Sequence, residues 1–525
     1  MGKDDIIYDD QITSTSQIKA PQQLSQHLLS EMHMNISNKE ESKQVGKPLD
    51  QVSQQFLSEI NQPNANFKWL LMSCIETAVS VFFEIAPTSI TIMFLSNKSN
   101  QDTVSGYGLA MVLSNCIGQS VYYGLSSGLE TMAAHAYGAK NYPQVGLLLY
   151  KCQFVMLLLF IPITICMIFA KEILLLWNTN IHICEIAQVY CIWCIPGLFF
   201  TSIFYSMRGF LNAQNEYRIQ MLALGIGFPF NALLCYIFIT WLDWGVIGAA
   251  ISYNILRLFI VILFFVFIEF KKQLKKCYIP LSRQIYKNLW PFLKVAVPIG
   301  SVVASDWIIY EAQSIIASNL EESQYAAHIV LANLNVMLFS FSIGYSVASC
   351  TFIGNEMGRR NAKKAKQYAY YSQLILLLHL IVFIVPLTIF KNYIADIFTV
   401  DEKVKSAFIK TFYFFIAQNV IIGFETVMSA YTRAIGKERF LCIIFFLCNG
   451  LLGLVLSVVF AYQLNWKLDG IWLGMIAGVA INSLLQLVKI SFTDVNIMAD
   501  KISKRINEND MQHSIVKSFK LASNG

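Results

Sequence analysis

Acidic side chains inside apolar stretches are the groups of this 525-residue chain best suited to chemistry. Asp306 and Glu311 lie five positions apart in Ser305-Asp306-Trp307-Ile-Ile-Tyr310-Glu311, while Glu84 and Glu425 lie in two other apolar stretches. A charge at the centre of a membrane helix costs roughly 2.5–3.5 kcal/mol on insertion scales. Carboxyl groups placed at such a cost favour a functional interpretation.

An unpaired buried carboxyl group is most stable when protonated, because burial disfavours its charged form. Arginine and lysine are nearly absent at comparable depth, so we expect these carboxyl groups to be unpaired. A carboxyl that holds either a proton or a cationic substrate, but not both, couples the two by mutual exclusion. The pattern therefore predicts a proton- or cation-binding set of Glu311, Asp306 and Glu425. The alternative is that these acids form hydrogen bonds to neighbouring helices and stiffen the bundle. For Asp306 and Glu425 this structural role is as well supported as the functional one.

Aromatic residues flank the first of these acids. Trp307 and Tyr310 can offer a ring face to a protonated or quaternary amine by cation–π attraction. We expect both to line a substrate cavity, with Glu84. Glu76 stands closer to the end of its apolar stretch, where a charge costs less, and a structural role is favoured there.

The two halves of the chain repeat each other at a shift of 220 positions, the separation of Asn115 and Asn335. At that shift Gly124 meets Gly344, and Gly138 meets Gly358. Two similar bundles that rock about a site between them are typical of alternating-access transporters. The paired asparagines are predicted to line the substrate cavity. Interhelical hydrogen bonding, worth about 0.6 kcal/mol, is an equally weighted alternative.

The composition is that of a polytopic membrane protein: 55% hydrophobic and 14% charged residues, with a mean hydropathy of +0.51. A span of the ~30 Å hydrocarbon core needs about 20 residues. Twelve apolar segments satisfy this length, at about 68–96, 104–133, 145–170, 183–211, 216–241, 245–270, 287–319, 323–352, 365–391, 405–433, 438–464 and 468–493. The predicted fold is an all-α polytopic membrane protein with twelve transmembrane helices in two pseudo-symmetric six-helix lobes.

The predicted organisation has five parts. They are a disordered cytoplasmic tail (1–66), an N-terminal lobe (67–270), a basic cytoplasmic linker (271–287), a C-terminal lobe (288–494) and a cytoplasmic C-terminal tail (495–525). The orientation follows from basic residues in alternate loops, such as Lys271, Lys275 and Arg359, which the positive-inside rule places in the cytoplasm.

Several classes of function are disfavoured. The loops contain no nucleophile–base pair, and no Gly-x-x-x-x-Gly-Lys-Ser/Thr motif is present, so neither an enzyme nor direct ATP coupling is expected. The cysteines lie almost wholly in apolar segments, and Cys191-x-x-Cys194 lacks a second ligand pair, so no metal site or cofactor is expected. The net charge of +6 is explained by basic residues in the loops expected on the cytoplasmic side, so it does not indicate nucleic-acid binding. Nothing in the sequence calls for more than a monomer in a lipid membrane.

Three motifs resemble those of eukaryotic multidrug and toxic compound extrusion (MATE) transporters. Gly124-Leu-Ser-Ser-Gly-Leu-Glu-Thr131, followed by Ala136-Tyr-Gly-Ala-Lys-Asn-Tyr142, is similar to the family's second segment and first inner loop, with Asn115 where that family carries an intramembrane asparagine. Asp306-Trp307-Ile-Ile-Tyr310-Glu311 resembles its segment-seven motif, and Gly354-Asn355-Glu-Met-Gly358 its segment-eight signature. The resemblance spans residues 68–493. Asp306, in place of a glutamate, and His135, in place of a glutamine, are departures from the family pattern.

The resemblance implies two six-helix lobes around a V-shaped cavity and the export of organic cations or xenobiotics in exchange for protons. It also implies that Glu311 and Asp306 take part in proton or cation binding. Sodium in place of protons stays open, as does the choice between plasma and vacuolar or vesicular membranes. A lipid-linked sugar flippase of the same superfamily is an alternative, although it calls for a cavity rich in arginine and lysine. A non-transporting sensor or scaffold is another.

Overall fold

A computed structural model describes residues 65–176, 180–271, 274–277, 285–286, 288–399 and 401–507. Six helical rods form the N-terminal half. They are α1 (Phe67–Lys98), α2 (Gln101–Leu113, a π-helical turn Ser114–Gln119 and Ser120–Gly138), α3 (Tyr142–Ile168), α4 (Ile181–Trp193 and Ile195–Ala213), α5 (Tyr217–Cys235 and a π-helical turn Tyr236–Trp241) and α6 (Gly245–Glu269).

Six more rods form the C-terminal half. They are α7 (Trp290–Ser318), α8 (Glu322–Gly358), α9 (Ala362–Ile389), α10 (Glu402–Ala434), α11 (Glu438–Phe445, Phe446–Gly453, Leu454–Val458 and Val459–Gln463, the second and fourth parts π-helical) and α12 (Lys467–Ser491). A short helix follows the third rod of each half, Ala170–Leu174 after α3 and Lys391–Phe398 after α9. The predicted twelve-helix, all-α fold is confirmed.

Apolar length explains most of these rods, and protein packing explains the rest. Within the described residues ten helices are long and apolar enough to cross a membrane, and α4, bent by 55° where its two parts meet, gives an eleventh. The bend lies just before Pro196, at the start of the second part. The twelfth rod, α2, is rich in small and polar residues. It is buried almost throughout Ser120–Gly138 because other helices, not lipid, surround it.

The backbone conformation repeats between the two halves, as the sequence does. Left-handed φ angles recur at matched loop positions: 61° at Lys140 and 60° at Arg360, and 55° at Asp243 and 59° at Asn465. Residues other than glycine seldom adopt this conformation, so its recurrence at equivalent turns supports two copies of one fold.

Small residues let the halves approach closely. A Cβ added to Gly124 of α2 would lie 2.5 Å from the Cα of Gly300 in α7, and one added to its repeat partner Gly344 in α8 would lie 2.4 Å from the Cα of Ala78 in α1. The first helix of each half therefore packs partly into the core of the other half. Close backbone approach through small residues is the usual way in which membrane helices pack.

The ends of α2 and α8 cross in the same reciprocal manner. A Cβ on Gly138 would fall 2.0 Å from the carbonyl oxygen of Asn355, and one on Gly358 would fall 2.1 Å from that of His135. We call this contact the closed end. Because neither glycine tolerates a side chain, the sequence repeat at these positions reflects a packing requirement in both halves.

A thirteenth helix, α13, covers residues 495–507, within the predicted C-terminal tail. Val495, Met498 and Ile502 are buried in a core cluster shared with α8, α9 and α10, at the three-to-four-residue spacing of an amphipathic helix. A nitrogen of Arg505 lies 3.2 Å from Nδ1 of His135 at the end of α2. The tail prediction missed this helix because its apolar residues are spaced and not continuous. The predicted disordered segment lies outside the described residues, except for residues 65 and 66.

Candidate functional site

A cavity of about 450 Å³ opens among α7, α8 and α10; we call it the C-lobe cavity. Its lining includes six residues singled out from the sequence, namely Asp306, Trp307, Tyr310, Glu311, Asn335 and Glu425. The structure thus brings together most of the predicted site. Its volume falls in the range of about 300–1,000 Å³ typical of small-molecule pockets.

Helical spacing explains why α7 contributes so much. Asp306 and Tyr310 are one turn apart, as are Trp307 and Glu311, so the four side chains form two adjacent columns on one side of the helix. Asp306 and Glu311 make no hydrogen bond or ion pair with any residue that the structure describes. Their carboxyl groups are therefore available to a proton or to a ligand.

Tyr310 and Asn335 connect α7 to α8. The Nδ2 atom of Asn335 donates a hydrogen bond of 3.2 Å to the hydroxyl of Tyr310, and Asn335 is 1% exposed. This contact matches the interhelical role foreseen as the alternative for this residue. It also fixes the aromatic ring in the cavity wall.

Glu425 on α10 is held by neutral donors. Its Oε1 atom accepts hydrogen bonds from the Ser429 hydroxyl at 2.6 Å, from Nδ2 of Asn482 at 3.2 Å and from Nε2 of Gln486 at 2.9 Å. These donors satisfy the oxygen without supplying a counter-charge. Glu425 lines the same cavity as Asp306.

Two further residues of the C-lobe cavity, His328 and Arg433, were not predicted from the sequence. His328 is buried with its ring edge-on to Trp472, and its Nε2 lies 3.3 Å from the hydroxyl of Ser314. Arg433 donates a hydrogen bond of 3.2 Å to Ser346. Both line the C-lobe cavity. The sequence could have indicated both, since each is a basic residue in or at the end of an apolar segment.

A second cavity of about 180 Å³ lies in the N-terminal half; we call it the N-lobe cavity. It holds the two remaining predicted residues, Glu84 and Asn115, together with Arg257. Tyr123 and Trp307 line both cavities, so the two spaces are neighbours.

Glu84 is fully engaged by its surroundings. Its Oε2 atom lies 2.8 Å from a guanidinium nitrogen of Arg208, and its Oε1 accepts a hydrogen bond of 2.6 Å from the hydroxyl of Tyr205. Arg208 is 2% exposed. The prediction that basic partners are nearly absent at this depth is wrong, because α4, α6 and α10 each bury an arginine among apolar residues: Arg208, Arg257 and Arg433.

Asn115 lies in the π-helical turn Ser114–Gln119. Its Oδ1 atom accepts a hydrogen bond of 2.8 Å from Nε2 of Gln119, whose Oε1 in turn faces a nitrogen of Arg257 at 3.5 Å. Such turns widen a helix locally and occur often at functional sites. The two repeat-related asparagines thus both line a cavity, but they bond to different partners.

The described residues contain no group of three histidine, cysteine, aspartate or glutamate side chains arranged to hold a metal ion. The thiol of Cys194 instead donates to the carbonyl of Cys191 at 3.2 Å inside the helix bundle. The ion pair between Arg218 and Glu76, 2.6 Å long, joins α5 to α1 and fits the structural role expected for that glutamate.

Comparison with known proteins gives matches across both halves. The MatE family matches residues 77–237 and 298–459, one stretch in each half. Protein DETOXIFICATION 9 of Arabidopsis thaliana is 24% identical over 77% of this chain and 84% of its own length. Multidrug and toxin extrusion protein 1 of Danio rerio is 24% identical over 81% of this chain and 72% of its own.

Among solved structures, the crystal structure of the eukaryotic MATE transporter AtDTX14 superposes with a TM-score of 0.79 at 20% sequence identity, over 86% of this chain and 99% of that one. This agreement concerns the fold. These relatives are transporters and not enzymes. With the family match in both halves, the chain belongs to the MatE family of multidrug and toxin extrusion transporters.

Proposed function

We propose that this protein exports organic cations or other xenobiotics in exchange for protons by alternating access. The observation that carries the proposal is the pair of carboxyl groups on α7. Asp306 and Glu311 face one cavity without an ion-pair partner among the described residues. A cation entering beside Trp307 and Tyr310 would meet aromatic faces and carboxylates together.

The coupling step follows from this arrangement. A protonated carboxyl group has no charge to offer a cation, whereas a deprotonated one in a low-dielectric cavity attracts it strongly. Protons that enter from one side therefore displace the cation toward that side. Glu425, held by neutral donors beside Asp306, is the third member of the proposed proton- and cation-binding set.

The proposal also includes the orientation of the protein in the membrane and its oligomeric state. The basic residues Lys271, Lys275 and Arg359 favour cytoplasmic loops at one end of the bundle, and both termini on that side. We place the protein in a plasma or vacuolar or vesicular membrane, working as a monomer, with sodium as a second candidate coupling ion.

Uptake into proteoliposomes tests the proposal. Reconstituted protein is given a fluorescent organic cation under an imposed pH gradient, and wild type is compared with Glu311→Gln and Asp306→Asn. Glu321→Gln is the matched control, because Glu321 pairs with Lys467 at the protein surface, away from both cavities. We expect gradient-driven uptake by wild type and by the control, and its loss in the two α7 variants at equal protein abundance.

The alternatives predict other outcomes. Uptake that is insensitive to both α7 substitutions would move the coupling to Glu425 or to the N-terminal half. A lipid-linked sugar flippase or a non-transporting scaffold would show no cation uptake under a proton or a sodium gradient. Sodium-driven uptake alone would replace the proton as coupling ion.

A further inference from the structure

Arg257 of α6 is a buried cation in the wall of the N-lobe cavity. Its side chain is 6% exposed. The guanidinium carbon lies 5.1 Å from the ring centroid of Phe204 and 5.3 Å from that of Tyr253. Two aromatic rings therefore lie against the guanidinium group of a residue that lines the cavity.

The hydrogen-bonding capacity of the Arg257 guanidinium group is only partly used. The Nε atom has no hydrogen-bond partner within the described chain, and a terminal nitrogen reaches Oε1 of Gln119 at a long 3.5 Å. The side chain of Tyr253 is the other polar neighbour of the group. A buried donor left without an acceptor costs about 1–3 kcal/mol, and more when it is charged.

The charge also has no ion pair of its own. Glu84, the acidic residue of the same cavity, already has both oxygens occupied, by Arg208 and by Tyr205. No carboxylate among the residues described lies within 4.0 Å of Arg257. The effective cost of burying an ion without a direct partner is several kcal/mol. Attraction from Glu84 and two cation–π contacts of about 0.5–2 kcal/mol each lower this cost, and a direct acceptor on the guanidinium group would lower it further.

The space beside Arg257 is of the right size for a substituent. A cavity of about 180 Å³ is too small for a whole drug-sized molecule. However, Ile85, Tyr123, Trp307 and Ile343 line both this cavity and the larger C-lobe cavity. One compound can therefore place its cationic body in the C-lobe cavity and a smaller group in the N-lobe cavity.

We propose that the N-lobe cavity binds a carboxylate carried by the transported compound, with Arg257 as its principal partner and Gln119 and Asn115 as neighbouring amides. A planar guanidinium matches a carboxylate with two parallel hydrogen bonds. This inference rests on the proposed function and narrows its substrate class to include zwitterions, which engage both cavities at once. The guanidinium group of one cavity and the carboxyl groups of the other then serve the two ends of a single ligand.

A matched pair of dyes tests the inference. Rhodamine 110 carries a free carboxylate, and rhodamine 123 is its methyl ester with the same cationic ring system. Binding of each to purified full-length protein is measured by fluorescence anisotropy in detergent, without a pH gradient. We expect Arg257→Gln to weaken rhodamine 110 binding about tenfold, as expected for loss of a hydrogen bond to a charged group, and to leave rhodamine 123 binding nearly unchanged.

Two variants keep the test decisive. Arg257→Lys retains the charge but loses the two-pronged geometry, and it should weaken rhodamine 110 binding by an intermediate factor. Lys151→Gln removes a buried cation of the same lobe that donates to the carbonyl of Asn288 and lines neither cavity. This control should not alter the ratio of the two affinities. If Arg257→Gln does not fold, the ratio of the two dye affinities in Arg257→Lys tests the inference instead.

Three results would overturn the inference. Equal weakening of both dyes would make Arg257 a structural residue, and no change in either would remove it from the site. Strengthening of rhodamine 123 binding by added chloride, lost in Arg257→Gln, would assign the cavity to an inorganic anion. Because binding needs no gradient, failure of proton-driven uptake alone would refute the coupling and not the carboxylate site.

Discussion

The two cavities occupy related halves of one repeated fold, yet they treat their carboxyl groups differently. In the N-lobe cavity Glu84 is paired with Arg208 at 2.8 Å. In the C-lobe cavity Asp306 and Glu311 have no basic partner among the described residues, and Glu425 is held by neutral donors. The repeat supplies similar helices, whereas the positions of the arginines decide which carboxyl groups have an ion-pair partner.

Removal of the N-lobe counter-charge should have the largest effect on stability. Arg208→Met leaves Glu84 buried and unpaired, and breaking such a pair from one side costs about 3–5 kcal/mol. SDS-induced unfolding of the purified protein in mixed micelles measures the loss. The double variant Glu84→Gln/Arg208→Met should recover much of it. A double variant no more stable than the single one would show that the two residues are not an ion pair.

The crossed glycines of the closed end should respond alike in the two halves. Gly138→Ala and Gly358→Ala each place a methyl group against backbone, and overpacking of this kind costs about 1–3 kcal/mol. Gly108→Ala is the control, since nothing lies within 4 Å of a Cβ at that helical position. The same unfolding assay should show two similar losses and none in the control. A loss in one half alone would contradict equivalent packing.

Neutralisation of Glu425 should affect stability much less than neutralisation of Glu84. In Glu425→Gln the amide oxygen can still accept from Ser429, Asn482 and Gln486, so we expect a change in unfolding free energy within about 1 kcal/mol. Glu84→Gln leaves Arg208 unpaired and should cost several times as much. Equal losses in the two variants would remove the distinction between paired and unpaired carboxyl groups.

The smallest expected effect concerns the hydrogen bond between α7 and α8. A double-mutant cycle with Asn335→Ala and Tyr310→Phe isolates this contact, and interhelical hydrogen bonds in membranes average about 0.6 kcal/mol. Unfolding free energies of the four proteins give the coupling. A coupling indistinguishable from zero would show that the 3.2 Å contact does not stabilise the cavity wall.

The sequence predicted the helices and most of the C-lobe cavity, because apolar length and helical spacing are local properties. Asp306, Trp307, Tyr310 and Glu311 share one helix, so their proximity followed from spacing alone. The ion pair between Glu84 and Arg208 could not be predicted in this way, since Arg208 lies 124 positions away and only tertiary packing brings the two together. Helix α13 was missed for a different reason, because its spaced apolar residues do not form the continuous apolar stretch by which the membrane spans were predicted.

Proton release on substrate binding is the most direct test of the claim that the C-lobe carboxyl groups exchange a proton for a cation. Titration calorimetry of rhodamine 123 binding, repeated in buffers of different ionisation enthalpy, measures that release. We expect release from wild type and from Glu321→Gln, and none from the double variant Asp306→Asn/Glu311→Gln. Binding without release by wild type, or equal release by the double variant, would contradict the claim.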